Sequence, residues 1–210
     1  PTIISVISAI FTQAWQLSAI GEREGEDREQ FYSNIFQSYQ TIVFLAAGGI
    51  LLLIKPLMHI LVTDEFFEAW QYTPLLVVSV VFSCFSSYFA SIYMASKKNI
   101  MAMVTIFVGA VLNIILNYLW IPVYGLNGAA GATAVCYILI FLLRAIDTRR
   151  LVFLDLDWKK LALNSLLLGI QCWLVLDNGK YLYPMEAAVL FAMLLVNLRG
   201  ILTVADRLYR

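Results

Sequence analysis

Charge is scarce in this 210-residue chain. Only 13% of its residues are Asp, Glu, Lys or Arg, against roughly 25% in an average soluble domain, while 61% are hydrophobic. At a mean hydropathy of +0.82, a globule of this size has too few polar side chains to cover its outside in water. That excludes a soluble enzyme and a disordered tail. The 14 Lys and Arg residues cancel the 14 Asp and Glu, so no net charge draws the chain to a polyanion, and nucleic acid is excluded as a partner. Cysteine is also sparse. Cys84, Cys136 and Cys172 each sit in an apolar run without CxxC or other metal-ligand spacing, and read as small buried hydrophobes. HExxH, GxSxG, P-loop and glycine-rich phosphate patterns are all missing. No metal, cofactor or enzymatic activity is therefore expected. Asp155 and Asp157 form a lone DxD, which reads as a cap and interface anchor for a helix beginning near Trp158 rather than a glycosyltransferase metal site. No basic segment with a small-residue cleavage site opens the chain, so its first apolar stretch does not read as a signal peptide. A start at Pro1, already inside that stretch, points to the C-terminal part of a longer protein.

What the chain has is long apolar runs. Crossing about 30 Å of hydrocarbon takes about 20 mostly apolar residues as a helix. Seven stretches qualify or nearly do: residues 1–20, 39–61, 73–95, 100–121, 127–146, 158–176 and 184–203. The sixth is the weakest, because Asn164 and Gln171 interrupt it. Backbone groups left unpaired cannot face lipid, and the runs do not alternate as barrel strands do. The expected fold class is all-α, a polytopic membrane bundle of about seven transmembrane helices.

Charge sorts by side. The connections after the first, third, fifth and seventh stretches, with Arg144 counted in the fifth, carry twelve of the 14 cations, and the other side carries only Lys55 and Lys180. By the positive-inside rule the cation-rich side is cytoplasmic, so Pro1 starts outside and Arg210 ends inside. Turns of a few residues join the third, fourth and fifth stretches, which are expected to be adjacent and antiparallel. After the charged segment GEREGEDREQ, the residues Phe31, Tyr32, Ile35, Phe36 and Tyr39 recur at helical spacing. They read either as a short amphipathic helix on the cytoplasmic surface or as an early start of the second span. No connection is long enough for a soluble domain.

Polar groups inside spans are expected to face other helices, water or a substrate path. Ser5, Ser8, Thr12 and Gln16 form one stripe on the first stretch; Ser79, Ser83, Ser86 and Ala90 form one on the third. Gly109, Asn113 and Asn117 align on the fourth, and the fifth opens with the small-residue run GAAGATA. Close helix packing explains the small residues. For Gln16 and the two asparagines, interhelical hydrogen bonding and a wet cavity both remain open. Lys55 is read as the one cation well inside a span, beside Pro56. It either snorkels to the interface or faces a cavity to meet an anionic head group. His59, one turn further out, reads as an interfacial histidine without a functional partner. The spans are read as holding no buried carboxylate.

Residues 113–133 read NIILNYLWIPVYGLNGAAGAT. This resembles the N-xxx-N…IP-xx-G-xx-GAA-x-AT signature in the C-terminal lobe of polysaccharide flippases, the Wzx-type branch of the MATE-like MOP exporter superfamily. Trp15, Gln16, Phe31 and Tyr32 are similar to that family's eighth helix end and cytoplasmic loop. The resemblance covers about residues 1–144; the last two stretches match only in number. In physical terms Pro122 ends a helix, Gly125 permits a tight turn and Gly128 opens a closely packed helix. Asn117, Pro122, Gly125 and Gly128 are accordingly expected to be structural.

The resemblance implies two six-helix lobes around a cavity, of which residues 1–146 would supply five helices of the C-terminal lobe and residues 147–210 two additional helices with a cytoplasmic tail. It implies a multi-pass protein of a bacterial or archaeal cytoplasmic membrane that flips polyprenyl-diphosphate-linked oligosaccharide by alternating access, together with an N-terminal lobe of the same protein. Lys55, Gln16 and Asn113 are then the candidate cavity contacts. A multidrug exporter of the same superfamily is the first alternative, set back because those proteins usually carry an acidic residue where Asn117 stands. A membrane-embedded polysaccharide polymerase or glycosyltransferase is the second, set back by an outer loop of only about 62–72 without arginine. A purely structural membrane subunit also stays open.

Overall fold

A computed structural model describes residues 4–6, 8–10, 26–152, 154–177, 179 and 181–208. Every regular element among them is helical: α1 (Glu26–Leu52), α2 (Ile54–Leu61), a 3-10 segment (Asp64–Tyr72), α3 (Thr73–Ala95), α4 (Asn99–Tyr124), α5 (Leu126–Asp147), a short 3-10 turn (Thr148–Arg150), α6 (Trp158–Asp177) and α7 (Leu182–Leu208). Residues 4–6 and 8–10 are helical as well. Glu29–Leu52, Phe67–Ala95, Asn99–Tyr124, Leu126–Arg150 and Trp158–Asp177 are long and apolar enough to cross a bilayer, and Leu182–Leu198 is a shorter apolar helix. The chain is a polytopic helical membrane bundle. Five of the seven expected stretches reach the length and apolarity of a span among the described residues.

The second span differs from its expected limits at both ends. It starts early: α1 runs without a break from Glu26, and Tyr32, Ile35, Phe36 and Tyr39 are buried rather than lying on a surface. Their rings meet α3, with Phe36 5.3 Å from Phe89 and 5.6 Å from Phe85 between centroids, and Tyr39 stacked 5.9 Å from Tyr88. Phe141 of α5 closes the cluster at 5.8 Å from Phe85. The Tyr88 hydroxyl donates to the Tyr32 carbonyl oxygen at 2.8 Å. Offset aromatic packing of this kind supplies directional contacts where lipid offers no hydrophobic drive between helices. At its far end the span breaks at Leu53, between α1 and α2. Pro56 is the cause: it has no N–H for the Leu52 carbonyl, and its ring crowds that carbonyl.

Helix α5 is the keystone of the second half. It packs on α3 along one side and on α4 along the other, whereas α3 and α4 touch each other little. The turn at 96–98 holds the ends of α3 and α4 together, with Lys97 at φ 57°. Above that turn the small run at the start of α5 fits between them, Ala130, Ala132 and Ala134 all being buried. The three helices are neighbours, with α5 in the middle, because its alanines and glycine admit two neighbours at once. The α4–α5 hairpin itself forms as expected, with one change. Pro122 lies inside α4, which continues to Tyr124, and the turn is made by Gly125 at φ +56°. Proline is tolerated there because only its lost N–H and a mild local distortion must be absorbed, a few residues from the end.

On the other side of the bundle α7 and α6 pack against α1. The residues that weakened the sixth stretch in sequence, Asn164 and Gln171, are fully buried in this interface. Asn164 and Asn197 exchange amide hydrogen bonds of 3.3 and 2.8 Å, and the Thr41 hydroxyl of α1 donates to Asn197 Oδ1 at 3.0 Å. Lys160 Nζ donates to the same Thr41 oxygen at 3.3 Å. Asp157 caps α6, its Oδ1 accepting from the Lys160 backbone N–H at 3.0 Å, so the DxD segment takes the capping role read from sequence.

Candidate functional site

The polar residues of α3, α4 and α5 converge on a cavity of about 390 Å³. Ser83, Ser86 and Ser87 line it from α3, Asn113 from α4, and Thr133 and Arg144 from α5, with Ile106, Gly109 and Ile140 among the apolar remainder. Its existence follows from the packing: α3 and α4 stand apart across α5, and the gap between them is left open on the side where Ser87 is exposed. Ser83 and Ser86 of the stripe on α3 and Gly109 and Asn113 on α4 face this same space, as helical spacing of three and four allows. Ser87 Oγ donates to the Ser83 carbonyl and Thr133 Oγ1 to the Ala129 carbonyl, both at 2.9 Å. Asn117 Nδ2 donates to Asn113 Oδ1 at 2.8 Å, so Asn117 orients the cavity asparagine from one turn away.

Arg144 changes the electrostatics of the site. The sequence reading counts it among the cations of a cytoplasmic connection, but it belongs to α5 and is only 3% exposed. Its Nε donates to Thr105 Oγ1 at 2.9 Å, Nη1 to the Ser86 carbonyl and hydroxyl at 2.8 and 3.1 Å, and Nη2 to the Ala102 carbonyl at 3.0 Å. One guanidinium therefore ties α5 to both α3 and α4. All of these acceptors are neutral oxygens. Asp147, three residues on, accepts from the Tyr93 hydroxyl at 2.8 Å instead. The cavity thus presents a buried positive charge with no carboxylate bonded directly to it among the described residues. Four of the five guanidinium N–H groups are taken by these oxygens, so one Nη2 N–H and a positive charge fixed in place remain to face an anionic oxygen. The signal available in sequence was position: Arg144 falls inside the 3.6-residue pattern of the fifth span, three residues before the first carboxylate beyond it.

The remaining candidates separate. Asn113 lines the cavity. Lys55 does not: its Nζ lies 4.3 Å over the ring of Trp70, in the 3-10 segment that precedes α3. That places the Lys55 charge toward the end of the bundle where α3 begins, whereas Arg144 meets α3 in its second half. Pro56 and the break at Leu53 direct the lysine there. His59 stacks on Phe67 with centroids 4.1 Å apart. Gln16, with Thr12 and Trp15, lies outside the described residues, as do Arg23, Lys180 and Arg210. Of the first stripe, Ser8 is buried and hydrogen-bonded to the Tyr39 hydroxyl, while Ser5 is exposed. Of the four residues expected to be structural, Asn117 hydrogen-bonds Asn113, Pro122 lies inside α4, Gly125 makes the turn, and a Cβ on Gly128 would lie 2.4 Å from the Trp120 carbonyl oxygen.

One expectation about charge fails. Glu186 of α7 is a buried carboxylate, 1% exposed, which accepts a hydrogen bond from Gln171 Nε2 at 2.9 Å. It sits two residues beyond Pro184, within the seventh stretch, where the sequence reading expects no buried carboxylate. No group of three or more histidine, cysteine or acidic side chains that could hold a metal ion occurs among the described residues. Comparison with known proteins adds no relative: no protein-family model, no curated protein and no solved structure matches the chain.

Proposed function

We propose that the chain is the C-terminal part of a flippase for lipid-linked oligosaccharides in a bacterial or archaeal cytoplasmic membrane, with its C-terminus on the cytoplasmic side. The observation that carries this reading is a cavity of about 390 Å³ lined by hydroxyls, an amide and a buried guanidinium. A sugar head needs such hydrogen-bonding partners to leave water, while its polyprenyl tail needs only lipid beside it. Helix α4, one wall of the cavity, carries Ile100, Met103, Phe107 and Ile114 exposed on its outside, which gives a tail an apolar flank. Within this reading Asn113 and the serines meet the glycan, and Arg144 rather than Lys55 is the cation available to the diphosphate. The N-terminal lobe of the same protein completes the cavity, and rocking of the two lobes alternates its opening between leaflets. The NIILNYLWIPVYGLNGAAGAT segment and the one-sided distribution of cations support the assignment.

The test is complementation of a strain lacking the corresponding flippase. Asn113→Ala and Arg144→Gln are expected to lower surface polysaccharide and to accumulate lipid-linked intermediate. Normal export by both variants, at wild-type protein levels, removes this cavity from the transport path. Ser87→Cys gives a second readout: a membrane-impermeant thiol reagent should modify it, and added lipid-linked substrate should slow that reaction.

A multidrug exporter is the reading that Glu186 favours, because the objection that the spans lack a buried carboxylate no longer holds. Efflux of a cationic dye that depends on Glu186, without any effect on glycan export, would decide for it.

A further inference from the structure

Two side-chain pairs join α6 to α7, one of two amides and one of an amide with a carboxyl group. In the Asn164–Asn197 pair each group donates once and accepts once, at 2.8 and 3.3 Å. In the Gln171–Glu186 pair Gln171 Nε2 donates to Glu186 Oε2 at 2.9 Å, but the return bond is missing. Glu186 Oε1 and Gln171 Oε1 are both buried and both lack a partner among the described residues. Gln171 cannot supply the missing donor, since its amide nitrogen already serves Glu186 and approaches the Gly48 carbonyl at 3.4 Å. A single proton on Glu186 Oε1 would give the pair the donor it lacks, with Gln171 Oε1 as the unpartnered acceptor on the group Glu186 already pairs with, as in the first pair.

Among the described residues the surroundings hold no positive charge to replace that proton. Helix α1 offers only Gly48 at this level, whose Cβ, if present, would lie 2.8 Å from Gln171 Oε1. On α6 the titratable neighbour of Gln171 is Cys172, whose thiol is directed to the Pro74 carbonyl at 3.6 Å. On α7 itself Leu190 and Met193 close the space against Gly48. No ion pair reaches Glu186 among the described residues. An ionised carboxylate in such a place would carry an uncompensated charge beside an amide oxygen, two unfavourable terms at once.

We infer that Glu186 is a proton-binding site, held as a neutral carboxylic acid in a two-point pair with Gln171, and that loss of this proton loosens α7 from α6. The proton leaves to water from a position four residues into α7, about 6 Å from its start. This site is separate from the cavity between α3, α4 and α5, and it stands or falls independently of the flippase reading.

The direct test is infrared spectroscopy of the purified chain in lipid nanodiscs at neutral pH. A protonated carboxyl has a C=O stretch apart from the carboxylate and amide bands, and glutamate labelled with carbon-13 on its side-chain carboxyl should shift it. That band is expected in the wild type and is lost in Glu186→Gln. If no label-sensitive protonated-carboxyl band exists at neutral pH, the inference is wrong, and this outcome needs no variant. Thermal unfolding supplies the second arm. The wild type is expected to lose stability as pH rises and the proton leaves. Glu186→Gln, whose amide N–H restores the missing donor, should unfold at an unchanged or higher temperature and lose that dependence. Identical pH profiles for the two proteins would overturn the proposal.

Discussion

Adding one methyl group at Gly128 tests how closely α5 approaches α4. A Cβ there would lie 2.4 Å from the Trp120 carbonyl oxygen and 2.7 Å from its carbonyl carbon. Ordinary carbon–oxygen contacts between helices fall at about 3.3–3.6 Å, so the start of α5 would have to retreat by about 1 Å. The obstacle is backbone inside a helix and cannot rotate aside. Overpacking costs ~1–3 kcal/mol, and an unyielding neighbour places Gly128→Ala in the upper part of that range, ~2–3 kcal/mol. That corresponds to a roughly 30- to 150-fold loss in the ratio of folded to unfolded protein. Two other glycines calibrate the experiment. At Gly109 the added atom would meet Ile140 Cδ1 at 2.3 Å, the far end of a flexible side chain, so Gly109→Ala should cost distinctly less. At Gly49 it would meet nothing within 4 Å, so Gly49→Ala should stabilise α1 by about 0.4–1 kcal/mol. Unfolding of the three variants in the same detergent, followed by circular dichroism, gives the order Gly128→Ala, Gly109→Ala, wild type, Gly49→Ala from least to most stable. If Gly128→Ala unfolds alongside Gly49→Ala, the close α4–α5 approach described above is wrong.

Gly125 has φ +56° and ψ −134°, a region open essentially to glycine alone, so Gly125→Ala should destabilise the hairpin by ~1–3 kcal/mol in the same assay. Asn164 and Asn197 should behave as one unit. Each change to leucine is expected to cost about 0.6–1.7 kcal/mol, with the double variant no worse than the poorer single, whereas additive losses would argue against their pairing. Trp70→Leu removes the ring beneath Lys55 and should cost about 0.5–1 kcal/mol, a loss absent in a Lys55→Met background. Cysteines placed at Lys98 and at Glu65 lie at opposite ends of α3 and should be modified by impermeant reagent from opposite faces of the membrane; labelling of both from one face would contradict α3 as a span.

Composition and periodicity were enough for the class of fold. A chain this poor in charge has lipid as its solvent, and lipid admits backbone only as helix or closed barrel, so the all-helical bundle was legible before any coordinates. The hairpin at Gly125 and the cap at Asp157 were legible for the same kind of reason, because each rests on local chemistry within a few residues. Asn113 was legible as polar and helical in phase with Gly109 and Asn117, which is all that a single helix can tell.

What tertiary structure alone decided was the company each polar group keeps. That Arg144 reaches Ser86 and Thr105, 58 and 39 residues away, depends on α5 standing between α3 and α4. That Lys55 turns to Trp70 and away from the cavity depends on the break at Leu53. That Asn164 and Gln171 strengthen the sixth span instead of weakening it depends on Asn197 and Glu186 lying across from them on α7. Hydropathy assigns one value to a side chain, whereas the free energy of a polar group in a membrane is set by the donor or acceptor that faces it, and that partner comes from another helix.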